Sequence, residues 1–233
     1  MNQFDFDIQS NGDSALTLLF HASISRSLTK YILTLKKYFS NSKTNKQLID
    51  IIPAYQSLTL LFDSPISKEE IKQVKELAKN ILVAENHKDS VQSKTIRIPV
   101  CYEERYAPDL LSLAENLKLL PSELIRKHTA KRYLVHMLGF LPGFLYLGGL
   151  DEELHFPRKD TAAINIAKGS VGIGGSQTGV YPVSSPGGWH IIGRTPLQMF
   201  TIGLKSPAIA NPLDEIEFYP ISSDEFNKMN QAE

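Results

Sequence analysis

The 233 residues carry 25 Lys and Arg against 25 Asp and Glu, so the formal charge is zero and nothing in the balance favours nucleic acid or an anionic membrane surface. A single cysteine, Cys101, excludes an intrachain disulfide, and no uncharged apolar run has the length needed to span a bilayer. The opening MNQFDFDIQS has neither a basic n-region nor an apolar h-region, so the expectation is a soluble, cytoplasmic chain, long enough for one large domain or two small ones.

In chain order, Asn11-Gly12 stands between two short runs and marks a hairpin, with Leu16, Leu18 and Phe20 alternating along its second arm. Ile24, Leu28, Tyr31, Ile32, Leu35 and Phe39 recur at intervals of three and four, which predicts an amphipathic helix with Ser23 as its cap. Two short apolar strands follow over 49–55 and 57–62, the first carrying Pro53 at an edge or bend. Ser67 and Glu70 form a capping box ahead of a second helix whose stripe is Ile71, Val74, Ala78, Ile81 and Leu82. A polar connection covers 85–93, and Ile96, Ile98 and Val100 alternate in a further strand. Strand, helix, strand, strand, helix, strand is the order of a split βαβ, ferredoxin-like unit, and we place a boundary at residue 92, giving domains 1–92 and 93–233 in an α+β chain.

Beyond Val100, Pro108-Asp109 opens a short helix through Leu117, and Ser122 caps another that ends near His128. Tyr133, Val135 and Met137 alternate along a strand. Short strands at 170–174, 189–193, 197–202 and 215–219, punctuated by Gly and Pro, suggest a closed β-barrel. The tail after Pro220 is polar, and its last residues are expected to fray.

Between Gly139 and Arg194 lie all the glycines except Gly12 and Gly203, together with the only Trp, Trp189. From Gly169 to Arg194 the sole formal charge is Arg194 itself. Glycine costs conformational entropy and is kept where the backbone turns sharply or something approaches closely, so this stretch is either a polar, backbone-lined binding surface or a set of tight barrel corners. Gly172-Ile173-Gly174-Gly175 is followed by neither a Lys-[Ser/Thr] pair nor a helical run, which argues against a Walker or dinucleotide loop, although its amides could form an anion nest. The six histidines show no metal-binding spacing, and no metal site is expected. His128 is the one weighed for function, against the reading that it favours a helix C-terminus. Cys101 and the serines lack nucleophile contexts. Arg158 and Arg194 border the uncharged stretch and are either forks for carboxylate or phosphate oxygens or surface cations paired with Asp151 or Glu152.

LGFLPGFLYLGGLDEELHFPR and GSVGIGGSQTGVYPVSSPGGWHIIGRTPLQMF resemble the signature of the family that holds the 5-oxoprolinase component PxpB, the sporulation kinase inhibitor KipI and allophanate hydrolase subunit 1, the carboxyltransferase subdomains C and D. The likeness extends to GDSALTLLF and PAYQSLTLLFD, nearly the whole chain. It implies a small α+β domain followed by a cyclophilin-like barrel, and a heteromeric enzyme with PxpC-like and PxpA-like companions that uses ATP, with Mg as its counter-ion, to open 5-oxo-L-proline to L-glutamate. On that likeness Arg158 and Arg194 would neutralise carboxylate or phosphoryl oxygens and His128 would carry a proton. Amides near Gly174, Gly175 and Gly179 would hold developing negative charge, and Gln177, Thr178 and Tyr181 would orient the substrate. Phe140, Pro142, Gly143, Tyr146, Pro186, Gly187, Gly188 and Trp189 would complete the binding surface. Two other activities belong to the same family. A KipI-like inhibitor would dock a histidine kinase through Phe140, Leu141, Phe144, Tyr146 and Trp189, and a urea carboxylase type of subunit would work on allophanate. The chain departs from the family pattern at Ala162, Ala163 and Ala167, where an arginine and two prolines are usual, while Lys168 could replace part of the lost charge.

Overall fold

In the computed structural model, which describes residues 4–41, 48–84 and 93–231, the chain turns back at once through Asn11-Gly12. Gly12 takes φ +72°, and the turn joins β1 (Phe6–Ser10) to β2 (Ala15–Phe20). α1 (Arg26–Asn41) crosses to β3 (Leu48–Pro53), which pairs with β4 (Ser57–Phe62), and α2 (Lys68–Ala84) follows. The sheet order is β1-β2-β4-β3, with every neighbouring pair antiparallel. β4 is thus inserted between β2 and β3, the two strands joined by α1, which makes the split βαβ arrangement. Leu16, Leu18, Leu58 and Leu60 point from the sheet toward Leu28, Ile32, Leu35 and Phe39 of α1 and toward Val74 and Ala78 of α2. Two details differ from the periodicity. Ser25, not Ser23, caps α1, because the helix begins at Arg26 and Ser25 Oγ accepts from the Leu28 amide at 3.2 Å. Ile24 lies ahead of the helix and is exposed, off the stripe. The polar connection over 85–92, and the side chains of Ile81 and Leu82, lie outside the described residues.

The Ser67 capping box forms as the sequence indicates: Glu70 N–H donates to Ser67 Oγ at 3.3 Å and Ser67 N–H to Glu70 Oε2 at 2.8 Å. Ser67→Ala is expected to remove about 1 kcal/mol of stability, read as a lower denaturant midpoint with an unchanged m-value.

Residues Met1–Gln92 and Ser93–Glu233 are separate compact units. In the second, β5 (Thr95–Cys101) leads to α3 (Leu110–Asn116) and α4 (Pro121–Thr129), then to β6 (Arg132–Leu138) and β7 (Leu145–Gly148). After these come β8 (Ala163–Ile166), β9 (Ser170–Gly174), β10 (Gln177–Val180), β11 (Ser185–Gly187), β12 (His190–Arg194), β13 (Glu215–Ile221) and α5 (Ser223–Gln231). Seven strands close a barrel in the order β10-β7-β6-β13-β5-β12-β9, and β8 with β11 forms a separate two-stranded ribbon. Inward-facing Ile98, Val100, Val135, Leu147, Val171, Ile173, Val180, Ile192 and Phe218 fill the barrel, and Leu113 of α3 and Leu124 of α4 pack into the same core.

Four expectations are corrected here. The strand at 95–101 does not close the first sheet; it runs parallel to β13 in the barrel, and the first sheet takes its edge strand from β1. Alternation fixes which side chains face inward but not which sheet receives them. Ser122 lies inside α4, whose cap position is Leu120 with Pro121 as first residue, and Glu123 closes the turn by accepting from the Leu120 amide at 2.9 Å. Residues 197–202 make only an isolated bridge, Phe200 to Ala208. The polar tail is α5, begun by a Ser222–Glu225 capping box and anchored by Phe226, whose ring lies 4.3 Å from that of Tyr106 beside Cys101. Among the described residues no helix is long and apolar enough to cross a membrane.

Candidate functional site

Alternation sends successive residues of a strand to opposite faces, and on β9, β10 and β7 the face opposite the barrel core is built from unusual pairs. Gly172 and Gly174 of β9, Gly179 of β10, and Phe144 and Tyr146 beside and on β7 occupy it. With no side chains on the glycines, the indole of Trp189 lies against the strands themselves. A Cβ on Gly174 would sit 2.6 Å from Trp189 Nε1, and one on Gly179 would sit 2.7 Å from Leu145 O and 3.1 Å from Trp189 Cζ3. Phe144 is the hub of the resulting aromatic cluster, with Tyr146, Tyr181 and Trp189 rings 4.8, 5.3 and 5.4 Å away. Ile166 and Gly187, from β8 and β11, close over Tyr181. Edge-to-face contacts of this kind add about 1 kcal/mol each to the area buried.

Phe140 extends the cluster to the surface. It is 62% exposed, meets Phe144 edge-on at 5.7 Å, and is held at φ +64° in a turn closed by the Leu141 amide donating to Gly139 O at 2.8 Å. A bulky residue in the left-handed region costs about 1 kcal/mol, and such strain collects at functional surfaces. Pro142 is exposed beside it, and Gly143, at φ +86°, packs against Phe200.

Arg158 supplies the charge. Its guanidinium stands 5.7 Å from the Trp189 ring centroid, and its positive charge works against the burial that pushes the Tyr146 and Tyr181 phenols up. The segment that carries it is strapped to the barrel. Phe156 and Gly175 exchange backbone hydrogen bonds at 3.1 and 2.7 Å, His190 Nε2 donates to Pro157 O at 3.0 Å, and the Lys159 amide donates to Gly188 O at 2.8 Å. Lys159 Nζ then donates to both carboxylate oxygens of Asp109 at 2.7 Å. Asp109 and Lys159 are 50 residues apart, and no sequence spacing signals the pair.

The other expected residues fall elsewhere. Arg194 does not share a recess with Arg158: it ends β12, where Nε donates to Lys168 O at 2.7 Å and the guanidinium lies 5.9 Å from Phe226 of α5. Five residues of extended chain separate it from Trp189, roughly 16 Å. The Gly175 amide is taken by Phe156, and Gly174 and Gly179 lie in the β9–β10 ladder, so the hairpin offers no open nest of donors. Gln177 is half-buried at that hairpin, Pro186 is exposed on β11, and Gly188 adjoins Arg158.

His128 is a core residue. Fully buried, it stacks on Phe218 at 4.7 Å, and both ring nitrogens are engaged, Nδ1 with Tyr102 OH at 2.8 Å and Nε2 with Thr178 Oγ1 at 2.9 Å. Thr178 donates its own hydrogen to Gly172 O at 3.1 Å, so Nε2 is assigned the proton and Nδ1 accepts from Tyr102. Burial lowers the imidazole to about 3, which keeps it neutral. Thr178 therefore points into the barrel with His128 and away from the aromatic face.

In comparison with known proteins, the chain is 35% identical to the B-subunit of 5-oxoprolinase from Bacillus subtilis over 95% of each chain, and 35% identical to its counterpart from Escherichia coli O157:H7 over 74% of this chain and 78% of the other. The crystal structure of the K. lactis urea amidolyase superposes with a TM-score of 0.79 over 97% of this chain and 15% of that one, and at 18% identity it shows the fold alone. The model of the carboxyltransferase domain, subdomain C and D, matches residues 6–210, and the chain belongs to that family.

Proposed function

We propose that this chain is the PxpB component of an ATP-dependent 5-oxoprolinase and acts with PxpC-like and PxpA-like companions to open 5-oxo-L-proline to L-glutamate. The observation that carries the reading is 35% identity over 95% of both chains to a protein named for that role. The aromatic face suits the substrate class. 5-Oxoproline is a small, nearly flat lactam with one carboxylate; Phe140 and Tyr146 offer it apolar ring surface, and Arg158 offers a planar fork for the carboxylate.

The residues of this chain do not fit ATP and magnesium by themselves. Among the described residues no group of three or more His, Cys, Asp or Glu could hold a metal ion, the Gly175 amide is engaged, and Lys159 is bound to Asp109. We assign the nucleotide to a site completed by the companion proteins, and this chain's part to binding and orienting the lactam. His128 and Arg194 have no role in that binding.

The test is co-purification with the companions and measurement of glutamate released per ATP consumed, with allophanate as the comparison substrate. Arg158→Ala should raise KM for 5-oxoproline about tenfold to a hundredfold, the worth of one charge-assisted contact to a carboxylate. Release of glutamate with unchanged KM would remove Arg158 from the site. A chain that co-purifies with a histidine kinase and yields no glutamate with the companions would replace the enzyme reading by the inhibitor.

A further inference from the structure

Asp109 sits at the position where a helix is normally capped by its own carboxylate, directly before α3, yet its side chain makes no capping hydrogen bond. The carboxylate instead accepts from Lys159 Nζ on both oxygens and from the Ile191 amide at 2.7 Å, while its own amide donates to Ile191 O at 3.0 Å. It is thereby fixed to β12 on one side and to the Phe156–Lys159 strap on the other. Asp109 and Lys159 are both largely buried at the side chain, 18% and 27% exposed, so the ion pair is shielded more than a surface pair would be. A cap has been forgone at α3, and the carboxylate has been turned toward the segment that carries Arg158.

We propose that Asp109 is a positioning residue for substrate binding: through Lys159 it holds the strap against β12 and so fixes the Arg158 guanidinium over Trp189. The proposal rests on the reading that Arg158 receives the substrate carboxylate. Lys159 is adjacent to Arg158, and its amide is already bonded to Gly188, so loss of the Asp109 pair frees one end of the strap while Phe156 stays paired to Gly175. The guanidinium then samples several positions, and binding pays the cost of ordering it.

Asp109→Asn keeps an oxygen for the Ile191 amide but loses the ionic contact to Lys159, and Lys159→Met removes the same contact from the other end. In the reconstituted complex each should raise KM for 5-oxoproline about tenfold and leave kcat within about twofold, and the double variant should be no worse than either alone. Asp109→Ser, which restores a capping side chain to α3 but not the strap contact, should behave as Asp109→Asn does. The lone indole gives a second readout in the full chain without companions. Emission and iodide quenching of Trp189 in Asp109→Asn and Lys159→Met should shift toward the values of Arg158→Ala.

If Arg158→Ala raises KM while Asp109→Asn and Lys159→Met do not, the positioning role is wrong and the binding reading stands. If Arg158→Ala has no effect on KM, the binding reading falls, and the strap is then judged on fluorescence alone. Trp189 emission and quenching unchanged in Asp109→Asn and Lys159→Met would overturn it there. A loss of kcat at constant KM, or a fall in thermal stability with normal Trp189 fluorescence, would likewise make Asp109 a structural residue only.

Discussion

Gly174→Ala is expected to lower the unfolding midpoint of the barrel unit by roughly 10 °C, an effect on the order of 3 kcal/mol. The new methyl group would occupy the volume of the Trp189 indole, with Nε1 2.6 Å away. The indole is wedged in turn by Phe144 and, at 6.3 Å, by Tyr181, so it has nowhere to retreat without dismantling the aromatic cluster. Gly179→Ala should do as much, because there the obstacle includes a backbone carbonyl, Leu145 O at 2.7 Å. The neighbouring Gly175 is the control. It has open space within 4 Å but takes φ +66°, so Gly175→Ala should cost only about 1 kcal/mol and Gly175→Asn less. Thermal unfolding followed by Trp189 fluorescence reads all of these. Equal losses at 174 and 175 would mean that backbone conformation, and not the seat of the indole, explains the glycines.

Acid should destabilise the same unit through His128. The imidazole is held at about 3 in the fold against an ordinary 6.5, so below pH 6.5 the unfolded chain binds a proton that the folded chain refuses. The stability that the neutral ring contributes is whole above pH 6.5. It is lost at up to about 1.4 kcal/mol per pH unit as the pH falls toward 3, approaching ~5 kcal/mol in all. Asp151 and Glu225, whose carboxyls are held below their ordinary values by hydrogen bonds, act lower in pH, so the interval from about 6.5 to 5 isolates the histidine. His128→Gln should flatten that interval. It should also lower stability at about pH 8 by about 2 kcal/mol, since the Tyr102 and Thr178 hydroxyls lose a well-fitted partner. An unchanged slope in the variant would assign the acid sensitivity to other groups.

Much of the local structure could be read from the sequence because it is set by residues within a few positions of one another. The Asn11-Gly12 turn, the Ser67–Glu70 box and the alternation along 133–137 and 170–174 all depend on near neighbours, and all appear in the structure. What was not legible depends on distant partners. The strand at 95–101 has a clear period but finds its sheet through β13, far along the chain. His128 reads as a helix-end cation until Tyr102, Thr178 and Phe218 are seen around it. Arg158 and Arg194 look equivalent on either side of an uncharged run, yet opposite ends of β12 separate them. In the glycine stretch, composition marked something unusual, but glycines carry no side-chain period, so the short strands β10 and β11 left no pattern to read.

The parallel pairing of β5 with β13 also governs how the barrel can be made. Emerging from a ribosome, Ile98 and Val100 would have to wait for Ile216 and Phe218, and until then the sheet stays open along two edges. Slow refolding and dependence on chaperones follow for the second unit. The first, whose strands all lie between Phe6 and Phe62, needs no such delay.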